Sequence, residues 1–153
     1  MKKIKEKGID VAEVTLYISY ATFNPVIEND IRKHRMYKEL FEIDEKNCKI
    51  INNAINKKKK IIAVGTTVLR TLETVYLKYR KIFPIREYTD LYIYPGYKFK
   101  IVDELITNFH MPKTSLFILV CAFADIENIK RAYSESIKNR YRFLSFGDAM
   151  YIK

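Results

Sequence analysis

The run Ile61-Ile62-Ala63-Val64-Gly65-Thr66-Thr67 constrains the fold of this chain more than any other stretch. It is a short apolar segment ended by glycine, and beyond it Leu69, Leu72, Val75, Leu77 and Tyr79 keep a helical period as far as Ile82. Such a succession predicts a strand, a tight turn and a helix, the local geometry of an open α/β sheet.

The flanking sequence extends the pattern. Over residues 11–20, Val14, Leu16 and Ile18 alternate with Thr15, Tyr17 and Ser19, which predicts a strand. Phe23-Asn24-Pro25-Val26 ends it, because proline withholds a ladder donor and biases Asn24 towards extended geometry. A short connection carrying His34 and Glu39 leads to a strand over 38–43. Apolar positions 48, 51, 54 and 55 predict a helix over 46–60 that closes on Lys57-Lys58-Lys59-Lys60, where cations complement the helix dipole. Further strands are expected at 90–94, stopped by Pro95-Gly96, and within 102–108. Pro112-Lys113-Thr114-Ser115 caps a buried helix over 116–124, Ile126, Ile129, Tyr133 and Ile137 mark an amphipathic helix, and 141–146 forms a last short element. With no internal repeat and no polar linker, residues 1–153 are expected to form one layered α/β domain, a mixed sheet flanked by helices.

Composition narrows the function. The chain is 48% apolar and 30% charged with only 4 Gly and 4 Pro, which excludes collagen-like, low-complexity and disordered classes. A net charge of +10 points to an anionic partner, nucleic acid first and a membrane surface second. The richness in Ile, Lys, Asn and Tyr equally fits an AT-rich genome, and the lysine run reads as a solvated helix end before it reads as an RNA patch. Cys48 and Cys121 lack CxxC spacing, so neither a disulfide framework nor a zinc site is expected, and a reduced cytosolic compartment fits. The longest apolar run, 116–124, falls well short of the roughly 20 residues that cross a bilayer, and the start does not read as a signal peptide.

Three clusters have the residue types for chemistry. At Gly65-Thr66-Thr67 the helix N-terminus and two hydroxyls either bind an anionic group, with Arg70 one turn on, or form an ordinary threonine cap. Neither GxxxxGK[ST] nor GxGxxG occurs, so no nucleoside triphosphate or dinucleotide is signalled. Thr107-Asn108-Phe109-His110-Met111-Pro112 lies where a strand ends and offers one of the chain's 2 histidines for proton transfer. In residues 141–150, aromatics around Arg142 either stack on bases or face inward from a terminal strand, and Gly147-Asp148 offers a carboxylate as base or hydroxyl ligand. His34 and Glu39 complete the ionisable groups.

Read together, Ala63-Val64-Gly65-Thr66-Thr67 with Arg70-Thr71-Leu72-Glu73, Ile93-Tyr94-Pro95-Gly96-Tyr97, the string from Asp103 to Leu116 containing Thr107-Asn108-Phe109-His110-Met111-Pro112, and Tyr141-Arg142-Phe143 with Ser145 and Gly147-Asp148-Ala149-Met150 closely resemble one family. It is the S-adenosylmethionine:tRNA ribosyltransferase-isomerase family of queuosine biosynthesis, matched in order from about Val14 to Ile152. The resemblance implies transfer and isomerisation of the ribosyl moiety of S-adenosylmethionine onto 7-aminomethyl-7-deazaguanine at the tRNA wobble position, giving epoxyqueuosine, adenine and methionine. S-adenosylmethionine is then a substrate, no cofactor is implied, and tRNA is the partner. Carried onto this sequence, the implied substrate-binding groups are Thr66, Thr67, Arg70, Thr107, Asn108, Arg142, His34 and Glu39, with His110 and Asp148 as candidate proton-transfer groups.

Two family blocks depart here. His-X-Met-His-X-Glu reads His34-Arg35-Met36-Tyr37-Lys38-Glu39, and Leu-His-Val-Gly-X-Gly-Thr-Phe reads Leu16-Tyr17-Ile18-Ser19-Tyr20-Ala21-Thr22-Phe23, losing two glycines and two histidines. Family enzymes are also much longer, with an N-terminal stretch and a β-barrel insertion that this sequence lacks. The resemblance therefore leaves three outcomes: a catalytic portion working alone or with a separate N-terminal half chain, an RNA-binding remnant, and an inactive fragment.

Overall fold

In the computed structural model, which describes residues 2–19 and 25–153, the strands fall into two three-stranded sheets rather than one. After a short exposed helix α1 (Lys2–Glu6), β1 (Thr15–Leu16), β2 (Glu39–Ile43) and β4 (Ile85–Thr89) form an antiparallel sheet in the order β1-β2-β4. In the second sheet β3 (Ile62–Val64) runs parallel to β5 (Glu104–Asn108), and β6 (Ala149–Ile152) pairs antiparallel with β5. Helices α2 (Glu45–Asn56), α3 (Thr66–Tyr79), α4 (Ser115–Ala124) and α5 (Ile126–Lys138) complete the layered α/β architecture, and one of the two sheets is mixed, as expected.

Helix α3 joins the two halves. It follows β3, precedes β4, and lies against strands of both sheets. Its buried Leu69, Leu72 and Val75 meet Phe41, Ile43, Ile93, Leu105 and Leu119 in one continuous core. At roughly 1.5–3 kcal/mol per fully buried aliphatic side chain, this packing outweighs the weak helix preference of a segment rich in β-branched residues.

Three local expectations shift for identifiable reasons. The strand expected over 11–20 is short: among the described residues it is β1 at Thr15–Leu16, with the Tyr17 amide still reaching the Leu40 carbonyl at 2.8 Å, and further out the amides bond to side chains, Glu13 N–H to Asn47 Oδ1 at 2.8 Å and Ser19 N–H to Glu39 Oε1 at 3.1 Å. Tyr20 and the Ala21-Thr22-Phe23 block, together with Asn24, lie outside the described residues. The strand expected at 90–94 is instead β4, and residues 90–94 pass beside the core held by side chains. Leu91 N–H donates to Thr89 Oγ1 and its carbonyl accepts from Arg70 Nε at 3.1 Å. Residues 141–146 form a turn-rich loop, with Leu144 at φ +70°, and the last strand comes later as β6.

Helix α2 ends at Asn56, so the lysine run is the connection to β3 rather than the helix end, with Lys58 in the left-handed region at φ +52°. Lys59 pairs with Asp10 at 3.3 Å and Lys60 with Glu104. Cys48 and Cys121 are both buried free thiols.

Candidate functional site

Parallel pairing of β3 with β5 brings their carboxyl ends to one edge, where Gly65 and Thr107-Asn108 lie side by side. Open α/β sheets bind ligands at this position. Gly65 has φ +101° and ψ +143°, a conformation that side-chain-bearing residues avoid, and its amide still reaches the Ile106 carbonyl at 2.8 Å. The turn starts α3 at once. Gly65 itself is the N-cap, with no side-chain cap bond, so Thr66 and Thr67 enter the first helical turn and neither serves as the threonine cap.

Beyond β5 the chain crosses to α4, whose N-cap Thr114 accepts from Phe117 N–H at 3.2 Å and donates to the Met111 carbonyl at 2.7 Å. A half-open cavity of about 420 Å³ lies between these parts. Thr66, Thr67, Thr107, Asn108 and His110 line it, along with apolar Ile18, Met111, Leu116 and Leu144. The volume suits a nucleoside-sized ligand. None of its described lining residues is Lys, Arg, Asp or Glu, so the cavity offers hydroxyls, an amide, an imidazole and a helix N-terminus without a compensating cation.

His110 is fixed from several directions. Its Nε2 lies 3.0 Å from Thr107 Oγ1, its amide donates to Tyr133 Oη at 2.7 Å, and the Tyr133 hydroxyl donates back to the His110 carbonyl at 3.1 Å. Burial pulls its pKa down to about 4, so the imidazole is neutral at pH 7. Burial likewise pushes the Tyr133 hydroxyl up to about 12. A neutral imidazole can accept a proton or donate a hydrogen bond, but it adds no positive charge to the cavity.

Asn108 links the cavity to the third motif, its amide donating to the carbonyls of Asp148 at 3.2 Å and Gly147 at 3.4 Å. Asp148 itself closes the 142–148 loop. Its carboxylate accepts the Arg142 amide at 2.7 Å and lies 3.4 Å from the Arg142 guanidinium, and its own amide donates to the Arg142 carbonyl. Those contacts, the amide first, hold the carboxyl below its usual range. Neither Asp148 nor Arg142 lines the cavity.

The other expected site groups stand apart. Arg70 does not reach the turn: only 2% exposed, it donates from Nη1 to Glu39 (1% exposed) and from Nε to the Leu91 carbonyl. His34 meets a different carboxylate, Glu28, at 3.0 Å and packs edge-on to Tyr92. The family resemblance set His34 and Glu39 in one block, and the fold pairs them with different groups, His34 with Glu28 and Glu39 with Arg70. The cavity's apolar wall and the Tyr133 clamp escaped sequence reading because Leu144 lies in a segment read as a short element and Tyr133 reads as an ordinary position of an amphipathic helix.

The charge-free, hydroxyl-bearing cavity lies at the carboxyl ends of parallel strands and at a strand-to-helix turn, the place where layered α/β proteins keep their ligands. The chain belongs to the queuosine biosynthesis protein family, whose model matches residues 1–152. It is 50% identical over 152 residues to an S-adenosylmethionine:tRNA ribosyltransferase-isomerase of Sulfurihydrogenibium sp. (strain YO3AOP1), covering 99% of this chain and 44% of that protein. It is 49% identical to the one of Natranaerobius thermophilus, again covering 44% of the relative. A crystal structure of an S-adenosylmethionine tRNA ribosyltransferase from Thermotoga maritima superposes with a TM-score of 0.81 at 38% identity, over 99% of this chain and 48% of that one. The chain thus spans a little under half the length of the relatives it matches.

Proposed function

We propose that this chain supplies the nucleoside-binding part of an S-adenosylmethionine:tRNA ribosyltransferase-isomerase in queuosine biosynthesis, working with a separate chain that provides the remainder of the family's length. Its substrates are S-adenosylmethionine and a tRNA carrying 7-aminomethyl-7-deazaguanine at the wobble position, and its compartment is the cytoplasm. The observation that carries the reading is the cavity where the Gly65-Thr66-Thr67 and Thr107-Asn108-Phe109-His110 motifs meet without a charged side chain. A triphosphate would need cations there. A sulfonium nucleoside, already cationic, needs none, and its methionine carboxylate suits the N-terminal amides and hydroxyls of α3.

In this reading Thr66, Thr67, Thr107 and Asn108 bind the donor, and His110 is the proton-transfer group. The chemistry starts with loss of a C5′ proton beside the sulfonium, and a base must be unprotonated before it can take one. His110 is neutral at pH 7 as this requires, and because burial also weakens it as a base, the acidity of the proton beside the sulfonium must supply the rest of the driving force. Asp148 and Arg142 hold the 142–148 loop against Asn108, while Arg70 and Glu39 hold α3 to β2, so these four act on the cavity by positioning it. The net charge of +10 suits the phosphates of a tRNA. No cofactor is required.

The test is an assay of this chain together with the unmatched part of the Sulfurihydrogenibium relative, supplied with S-adenosylmethionine and the modified tRNA. Epoxyqueuosine in the digested tRNA and equimolar free adenine are expected, and His110→Ala should abolish both. Failure of the assembly to bind S-adenosylmethionine, or appearance of a methylated nucleoside, would overturn the proposal.

A further inference from the structure

Parallel strands are ordinarily covered on both faces, yet the sheet β3-β5-β6 is covered on one. Ala63, Leu105 and Ile152 align across it and are buried on the core side. On the opposite face Val64, Ile106 and Tyr151 align in the next row, with Val64 65% and Tyr151 50% exposed, and Ile62 beside them is 42% exposed. The acidic member of this face, Glu104, is paired with Lys60 and accepts a hydrogen bond from the Tyr151 hydroxyl. What remains is an apolar strip with one cation at its margin, Lys153, whose Nζ lies 5.0 Å from the centre of the Tyr151 ring.

The same strand has an open edge. Among the described residues β3 pairs only with β5. Because the Gly65 amide points to β5, strand parity turns the N–H and C=O groups of Ile62 and Val64 the other way. An apolar face joined to an unpaired strand edge is a template for strand addition.

We infer that β3 seats an additional β-strand, contributed by the part of the family's fold that lies outside the 44% matched here, with its side chains covering Val64 and Ile106. A second copy of this chain fits less well: a three-residue edge cannot by itself supply the roughly 1,200 Å² that a stable complex buries. Over half of each relative's length remains to be packed somewhere. Val64 runs directly into Gly65, and Ile106 into Thr107, so the added strand ends beside the open side of the cavity and narrows it. The inference rests on family membership and not on the substrate, and its test uses neither S-adenosylmethionine nor tRNA.

The binding partner is the unmatched part of the Sulfurihydrogenibium relative, titrated calorimetrically into this chain. Val64→Lys and Ile62→Lys, at positions already exposed, should each weaken binding at least tenfold while leaving the circular dichroism spectrum intact. Ile137→Lys, equally exposed on α5, should not weaken it. Hydrogen exchange at the Ile62 and Val64 amides should slow on complex formation. The inference is overturned if no complex forms, if Val64→Lys binds as tightly as the parent, if those amides stay unprotected, or if the chain alone is a dimer that Val64→Lys dissociates.

Discussion

Replacing Glu73 by alanine should cost a large share of the chain's stability, because one buried carboxylate holds a whole backbone segment. Glu73 lies on the buried face of α3 with no exposed surface. Its carboxylate accepts the amides of Lys100 and Ile101 at 3.0 Å and Val102 at 3.2 Å, and the Tyr97 hydroxyl at 2.9 Å. One side chain therefore supplies the backbone partners of the segment that turns into β5. Ile101 and Val102 are themselves buried, so Glu73→Ala strands two amides that water cannot easily reach. Each such group costs about 1–3 kcal/mol, and relief from burying the carboxylate offsets part of that, leaving about 3–4 kcal/mol. For a domain whose total stability is about 5–15 kcal/mol, this is a large fraction. Glu73→Gln keeps one acceptor oxygen at nearly the same place, so its cost should be about half. Urea unfolding followed by circular dichroism measures both, with an unchanged slope expected, and exchange of the Ile101 and Val102 amides should quicken in the alanine variant. A loss below about 1 kcal/mol for Glu73→Ala, or equal losses for the two variants, would refute the hydrogen-bond accounting.

Three other expectations follow from the site. His110 has a folded pKa of about 4 against 6.5 for the free side chain, so the unfolded chain binds the extra proton first; its contribution is complete above about pH 6.5 and is lost as pH falls to about 4. The urea midpoint should fall across that window, by about 3 kcal/mol in stability, and His110→Gln should flatten the fall. Removing one member of the buried Arg70–Glu39 pair, as in Arg70→Met, should cost about 3–5 kcal/mol, and adding Glu39→Leu should recover part of it; a double variant less stable than the single would contradict the pairing argument. A Cβ on Gly147 would run into the Arg142 carbonyl, so Gly147→Ala should open the 142–148 loop and release Asn108, seen as faster exchange of the Asp148 amide with an unfolding cost of about 1–3 kcal/mol.

Much of the cavity could be read from the chain because its parts are local. The Gly65 turn, the start of α3, the Thr114 cap and the strand ending at Asn108 each depend on neighbours within about one helical turn or strand length. Family resemblance then joined the two motifs that line the cavity. It carried Arg70, Glu39, His34, Arg142 and Asp148 along with them, and none of these lines the cavity: Arg70 and Glu39 pair in the core, Arg142 and Asp148 close a loop, and His34 pairs with Glu28.

The sequence by itself determined the α/β class, the four longer helices and the pairing of a glycine turn with a hydroxyl-bearing helix start, since periodicity, caps and glycine conformation act over a few residues. Only the tertiary structure decided that the strands divide between two sheets, that residues 85–89 rather than 90–94 enter the ladder, and that 141–148 closes as a loop through Asp148. The reason in each case is the same. A backbone or buried ionic group takes its partner from whatever packing brings within about 3 Å, and that choice rests on residues tens of positions away.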